Sequence, residues 1–96
     1  MGRLGRAEAR KRISEWLVSG SVSFTRHALE EMLNEKIERV DVLNVMRAGR
    51  ILEEGEEVLG TWRYRVHTSE FVVVVAFEEL VSTIRVVTAW RKKRGR

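Results

Sequence analysis

Two histidines and three arginines are the residues whose chemistry could act on a substrate: His27, His67, Arg63, Arg65 and Arg85. Arg63, Arg65 and His67 alternate along Thr61-Trp62-Arg63-Tyr64-Arg65-Val66-His67, so in a strand the three share one face, with Trp62, Tyr64 and Val66 on the other. Arg85 falls in a later segment that can join the same sheet. Guanidiniums beside a histidine suit RNA cleavage, which needs positive charge on a pentacoordinate phosphate and a group that moves a proton. They also suit a plain polar sheet face opposite Glu53, Glu78 and Glu79, and spacing alone leaves both readings open. His67, on a face expected to be poor in carboxylates, is the better proton mover. His27 follows Thr25, a good N-cap, and so falls in the first turn of a helix, where unpaired N–H groups favour an anion. It reads either as a residue that orients a phosphate or as an interfacial helix residue.

The elements that must position these groups follow from periodicity. Ala9, Ile13, Trp16 and Leu17 recur at helical spacing over residues 7–19, and Gly20 ends that helix. Residues 21–24 read as a short extended link. A second helix runs from Thr25 to about Lys36, and Ile37 staples a third whose apolar stripe is Val42, Val45 and Met46 and whose end is Gly49. Residues 50–53 then read as a short strand and the acidic residues 54–57 as a turn. Residues 61–67, 71–77 and 83–90 read as strands joined by links short enough to require antiparallel neighbours. The class is α+β: N-terminal helices followed by an antiparallel meander of three to four strands. The run Phe71 to Phe77 is apolar on both faces, and helices can cover one of them. The other requires a cleft wall, a partner or a second copy of the chain, as in a homodimer, unless the long Arg and Trp side chains of neighbouring strands suffice.

Composition bounds the remaining possibilities. The chain has 96 residues, 44% of them hydrophobic, which fits one domain over residues 1–96 with a single core. It has no cysteine, so disulfides and thiolate metal sites are excluded and a cytoplasmic location is expected. Nothing reads as a signal peptide, and no apolar run is long enough for a membrane partner. No metal and no cofactor is expected: the two histidines form no H-x-x-x-H or H-E-x-x-H pattern, and no Gly-rich phosphate loop or G-x-S-x-G is present. The net charge of +4 is carried by the ends, since residues 91–96 hold five basic residues and no acid. That tail, through Arg91, Lys92, Lys93 and Arg94, is suited to the phosphates of RNA and is equally common as a solvated terminus.

Taken in order, Phe24-Thr25-Arg26-His27-Ala28, Met32, Ile37, Asp41-Val42 and Gly49-Arg50-Ile51, then a Val-rich strand and Val87-Thr88-Ala89-Trp90, resemble a family of small bacterial domains of unknown function. Its pattern is T-x-H-A-x-x-R-M, a short R-G-I-S linker, a helix ending in Gly and a last strand ending T-x-Y, and the resemblance covers about residues 22–91. That family is grouped with the RelE/ParE-like and MqsR-like toxins of toxin–antitoxin modules. The resemblance implies a RelE-like fold and a toxin-like, metal-independent ribonuclease acting on mRNA in the manner of an mRNA interferase. Its implied partners are a cognate antitoxin, often a small zinc-finger protein, and RNA or the ribosome. The family's histidine is His27 here and its last-strand threonine is Thr88, a candidate RNA contact. Glu31 stands where the pattern has Arg, Glu35-Lys36 where it has Arg-Gly, and Trp90 where it has Tyr. The alternative is a non-catalytic protein- or nucleic-acid-binding module of the same fold.

Overall fold

The computed structural model describes residues 2–93. Helical spacing of apolar residues produces three helices, α1 (Arg6–Ser19), α2 (Arg26–Glu35) and α3 (Arg39–Ala48). Among the described residues there are also five strands: β1 (Ser21–Phe24), between α1 and α2, and then β2 (Glu56–Val58), β3 (Thr61–His67), β4 (Phe71–Glu78) and β5 (Thr83–Arg91). They form one sheet of order β1-β5-β4-β3-β2, antiparallel except for the parallel pair β1 and β5. No helix among the described residues is long and apolar enough to cross a membrane.

The α+β class and the helix-first order match the sequence reading, and two segments differ. Residues 21–24, read as a link, are a parallel edge strand whose Val22 and Phe24 pack toward the core. Four residues show too little alternation to announce a strand, and parallel pairing to a segment sixty residues away leaves no local signal. Residues 50–53, read as a strand, contribute only one bridge, between Arg50 and His67, and the strand lies instead in the acidic stretch at Glu56–Val58. There Glu56 pairs with Arg63 across the ladder, so opposite charge compensates for poor strand propensity.

Helices cover one face of the sheet. Ala9 and Ile13 of α1, Ala28 and Met32 of α2, and Val42, Val45 and Met46 of α3 bury against Tyr64, Val66, Val73, Val75, Ile84, Val86 and Ala89. Trp16 meets Phe77 edge-on at 5.5 Å between ring centroids, which anchors α1. Arg10 donates to Gly49 O at 2.7 Å and to Met46 O, so α1 satisfies the carbonyl end of α3. Desolvation there holds the Arg10 guanidinium below its ordinary pKa. Gly49 is required by proximity: a Cβ at this position would lie 2.5 Å from Val45 O and 2.7 Å from Val66 Cγ1.

A register shift between Val74 and Val75 sets the other face. Val75 pairs with Val86 but Val74 pairs with Thr88, so Val87 is the extra residue of a β-bulge. Before the bulge Ile84 and Val86 point to the core; after it Ala89 does, and Thr88 and Trp90 turn to the open face. The carbonyl of Val87 accepts from Thr25 Oγ1 at 3.0 Å, and the same hydroxyl oxygen accepts from Ala28 N at 3.0 Å. Thr25 therefore caps α2 and holds the bulge.

The open face of β4 is closed by its own chain. Val72 and Val74 are 3% and 7% exposed although no helix covers them. Val72 lies between His67 and Trp90, and Val74 between Arg65 and Thr88. The Arg65 guanidinium stands 5.9 Å from the Trp90 ring centroid, roofing the strand between them. The two-faced apolar run thus needs no second copy of the chain for its burial.

Candidate active site

The open face presents three rows of side chains. Alternation in β3 puts Arg63, Arg65 and His67 on it, and the register sets His67 beside Val72 and Trp90, and Arg65 beside Val74 and Thr88. Ala76 pairs with Arg85, so Arg85 shares the face, two strands and about 10 Å from Arg63. Arg85 forms an ion pair with Glu78 of its neighbouring strand. A groove of about 430 Å³ runs over this face, lined by Arg63, Arg65, Val74, Thr88 and Trp90 on its floor and by Glu53, Glu54, Glu56 and Val58 on its rim.

His67 does not stand on a carboxylate-poor face. Its Nε2 lies 2.8 Å and 3.0 Å from the two carboxylate oxygens of Glu53, and its Nδ1 is buried without a partner. An ionised carboxylate only accepts, so Nε2 carries the proton in this pair. The His67 side chain is 13% exposed and that of Glu53 is 46% exposed. Glu53, not His67, therefore presents the pair to the groove. Residues 50–55 hold Glu53 there because Arg50 N donates to His67 O at 2.8 Å and His67 N donates to Arg50 O at 2.8 Å. Sequence reading placed Glu53 opposite the arginine and histidine face as a compensating charge and gave it no chemical role; its pairing with His67, fourteen residues later, follows no local spacing.

The remaining predicted residues separate. His27 is exposed in the first turn of α2, on the helical layer, where it makes no hydrogen bond or ion pair with Arg63, Arg65, His67 or Arg85. The neighbours that give its motif a shape are structural: Thr25 caps and ties, and Ala28 is fully buried. Thr88 lines the groove. Arg91 is occupied elsewhere, donating from Nε to Glu35 O at 2.9 Å and from Nη2 to Lys36 O at 2.9 Å, with Nη1 paired to Glu70 at 2.8 Å. It closes the carbonyl end of α2. Lys92 is half-buried at the end of the open face and Lys93 is exposed, while Arg94 lies outside the described residues. Among the described residues no three of His, Asp and Glu gather closely enough to hold a metal ion.

Chemically, the arrangement offers an exposed carboxylate held by an imidazole N–H, two guanidiniums on the adjoining floor, and an aromatic wall. Such a set can take a proton from a hydroxyl, balance charge on a phosphate and stack a base.

In fold the chain is similar to a chain of the toxin–antitoxin complex RelBE2 from Mycobacterium tuberculosis, with a TM-score of 0.50 and 16% identity over 76% of this chain and 91% of the other. That likeness establishes the RelE-like α+β fold. No curated protein matches the sequence. The family described as Domain of unknown function (DUF4258) matches over residues 24–91, from the last residue of β1 to the end of β5, and the chain belongs to that family.

Proposed function

We propose that the protein is the toxin-like component of a toxin–antitoxin module and a metal-independent ribonuclease acting on mRNA. The observation that carries this reading is the Glu53–His67 pair at the edge of a groove floored by Arg63 and Arg65. The RelE-like fold supports it as a scaffold that leaves one face of the sheet uncovered by helices, with a groove over it.

In the proposed reaction a base stacks against Trp90. Glu53 takes the proton of the 2′-hydroxyl, whose oxygen attacks the neighbouring phosphorus, and the bond to the 5′-oxygen breaks. The products are a 2′,3′-cyclic phosphate and a 5′-hydroxyl that takes up a proton from solvent. His67 positions Glu53 through its Nε2–H, and Arg65, with Arg63 beside it, balances the charge of the pentacoordinate phosphate. Arg85, paired with Glu78, and His27, on the helical layer, stand outside this centre.

A second reading, a non-catalytic binding module, is favoured by one feature: Glu54 and Glu56 on the rim repel a polyanion and suit a basic protein segment. Growth discriminates between the two. Expression of the chain alone should arrest its host, and co-expression with the product of the adjacent reading frame, the cognate antitoxin, should restore growth. Normal growth with the intact protein accumulating would favour the binding module.

A further inference from the structure

Beside the groove, past the Glu53–His67 pair, lies a second basin of about 460 Å³. Its wall carries Arg50, His67, Thr68, Ser69 and Lys92, and no carboxylate. Two features of the backbone put the cations there. The reciprocal 2.8 Å hydrogen bonds between Arg50 and His67 make them directly opposed residues, so both side chains leave on the same face. Lys92 follows Trp90 by two residues and is fixed by donation from its N–H to Glu70 O at 2.8 Å, so it continues the row of Thr88 and Trp90.

The basin differs in charge from the rest of the open face. Arg65 faces Glu56 at 3.9 Å, Arg85 pairs with Glu78, and Arg63 lies directly across the ladder from Glu56. Among the described residues, neither Arg50 nor Lys92 takes part in an ion pair. Among the described residues, Arg50 and Lys92 flank a concave surface lined by no acid, with Ser69 in the same wall. That is the electrostatic requirement for an anion, and a fork of guanidinium donors fits the oxygens of a phosphate.

We propose that this basin is a phosphate subsite, in which Arg50 and Lys92 hold the backbone phosphate next to the scissile one of a single-stranded RNA. The inference rests on the ribonuclease reading for the direction of the strand but not for the binding itself. The subsite gives a strand its register: one phosphate anchored by Arg50 and Lys92, the next nucleotide carried over Glu53 into the groove.

The test is binding without chemistry. A fluorescein-labelled single-stranded 2′-O-methyl oligoribonucleotide lacks the nucleophile and survives the measurement, and its anisotropy reports affinity as salt is varied. Arg50→Gln and Lys92→Gln should each weaken binding about tenfold or more and lower the salt slope by about 1. Arg26→Gln, which removes an exposed charge on α2, should leave both nearly unchanged. Circular dichroism confirms folding in each case, and both target side chains lie outside the core. Binding lost in the Arg50 and Lys92 variants by a protein that never cleaves RNA keeps the subsite and removes the nuclease. Affinity and slope that change no more for Arg50→Gln and Lys92→Gln than for Arg26→Gln overturn the subsite, whether or not RNA is cleaved.

Discussion

Replacing Thr25 by alanine should destabilise the fold by about 2–3 kcal/mol, and the structure supplies each part of that figure. The hydroxyl oxygen accepts from Ala28 N at 3.0 Å, an N-cap whose loss costs about 1 kcal/mol. It also donates to Val87 O at 3.0 Å, and that carbonyl, on the unpaired residue of the bulge, would be left half-buried without a donor, for about another 1–2 kcal/mol. Urea unfolding followed by circular dichroism reads the sum. With a slope of about 1.5 kcal/mol/M, the midpoint should fall by about 1.3–2 M. Thr25→Ser keeps both bonds and should stay within about 1 kcal/mol of the parent. Hydrogen exchange localises the effect, since Ala28 N–H should lose protection in the alanine variant and keep it in the serine variant. A loss below about 0.5 kcal/mol for Thr25→Ala, or equal losses for alanine and serine, would refute the double role of the hydroxyl.

Two further substitutions test the local geometry. Lys36 closes α2 in the left-handed region at φ 57°, with Ile37 N donating to Met32 O at 2.8 Å, so Lys36→Gly should stabilise the protein by about 0.5–1 kcal/mol in the same urea assay. Gly49→Ala forces a Cβ to 2.5 Å from Val45 O and 2.9 Å from His67 O. It should cost about 1–3 kcal/mol, and the loosened Arg50–His67 bridge should appear as faster exchange of the Arg50 amide.

Helix positions and the helix-first order were legible because they rest on local signals: Thr25 as a cap, Gly49 as a stop, and apolar stripes such as Val42, Val45 and Met46. Thr25 holds the bulge, the fully buried Ala28 lets α2 approach β5, and Lys36 ends α2 in a left-handed conformation. The sharing of one face by Arg63, Arg65 and His67 was equally legible, as strand alternation alone determines it. What remained hidden depends on distant pairing. The parallel edge strand β1 has no local signature, and the bulge at Val87, which turns Thr88 and Trp90 outward, exists only in the register between β4 and β5. The pairing of Glu53 with His67 and the placement of Arg50 were hidden for the same reason: a single bridge to His67 brings both residues to the open face. Arg91 read as a free cation because its partners at Glu35, Lys36 and Glu70 are tertiary.

The most direct measurement is cleavage of a long single-stranded RNA by the purified protein in EDTA, with product ends identified. Cleavage should leave 2′,3′-cyclic phosphates, and Glu53→Gln should lower the rate about 10²–10⁴-fold, the contribution ordinarily made by a positioned proton acceptor. Arg65→Ala should lower it on the order of 100-fold without loss of folding, and His67→Ala should fall with Glu53→Gln because the two side chains act as one pair. Cleavage that requires a divalent metal, or that persists when both Glu53 and His67 are replaced, would contradict an active site built on that pair.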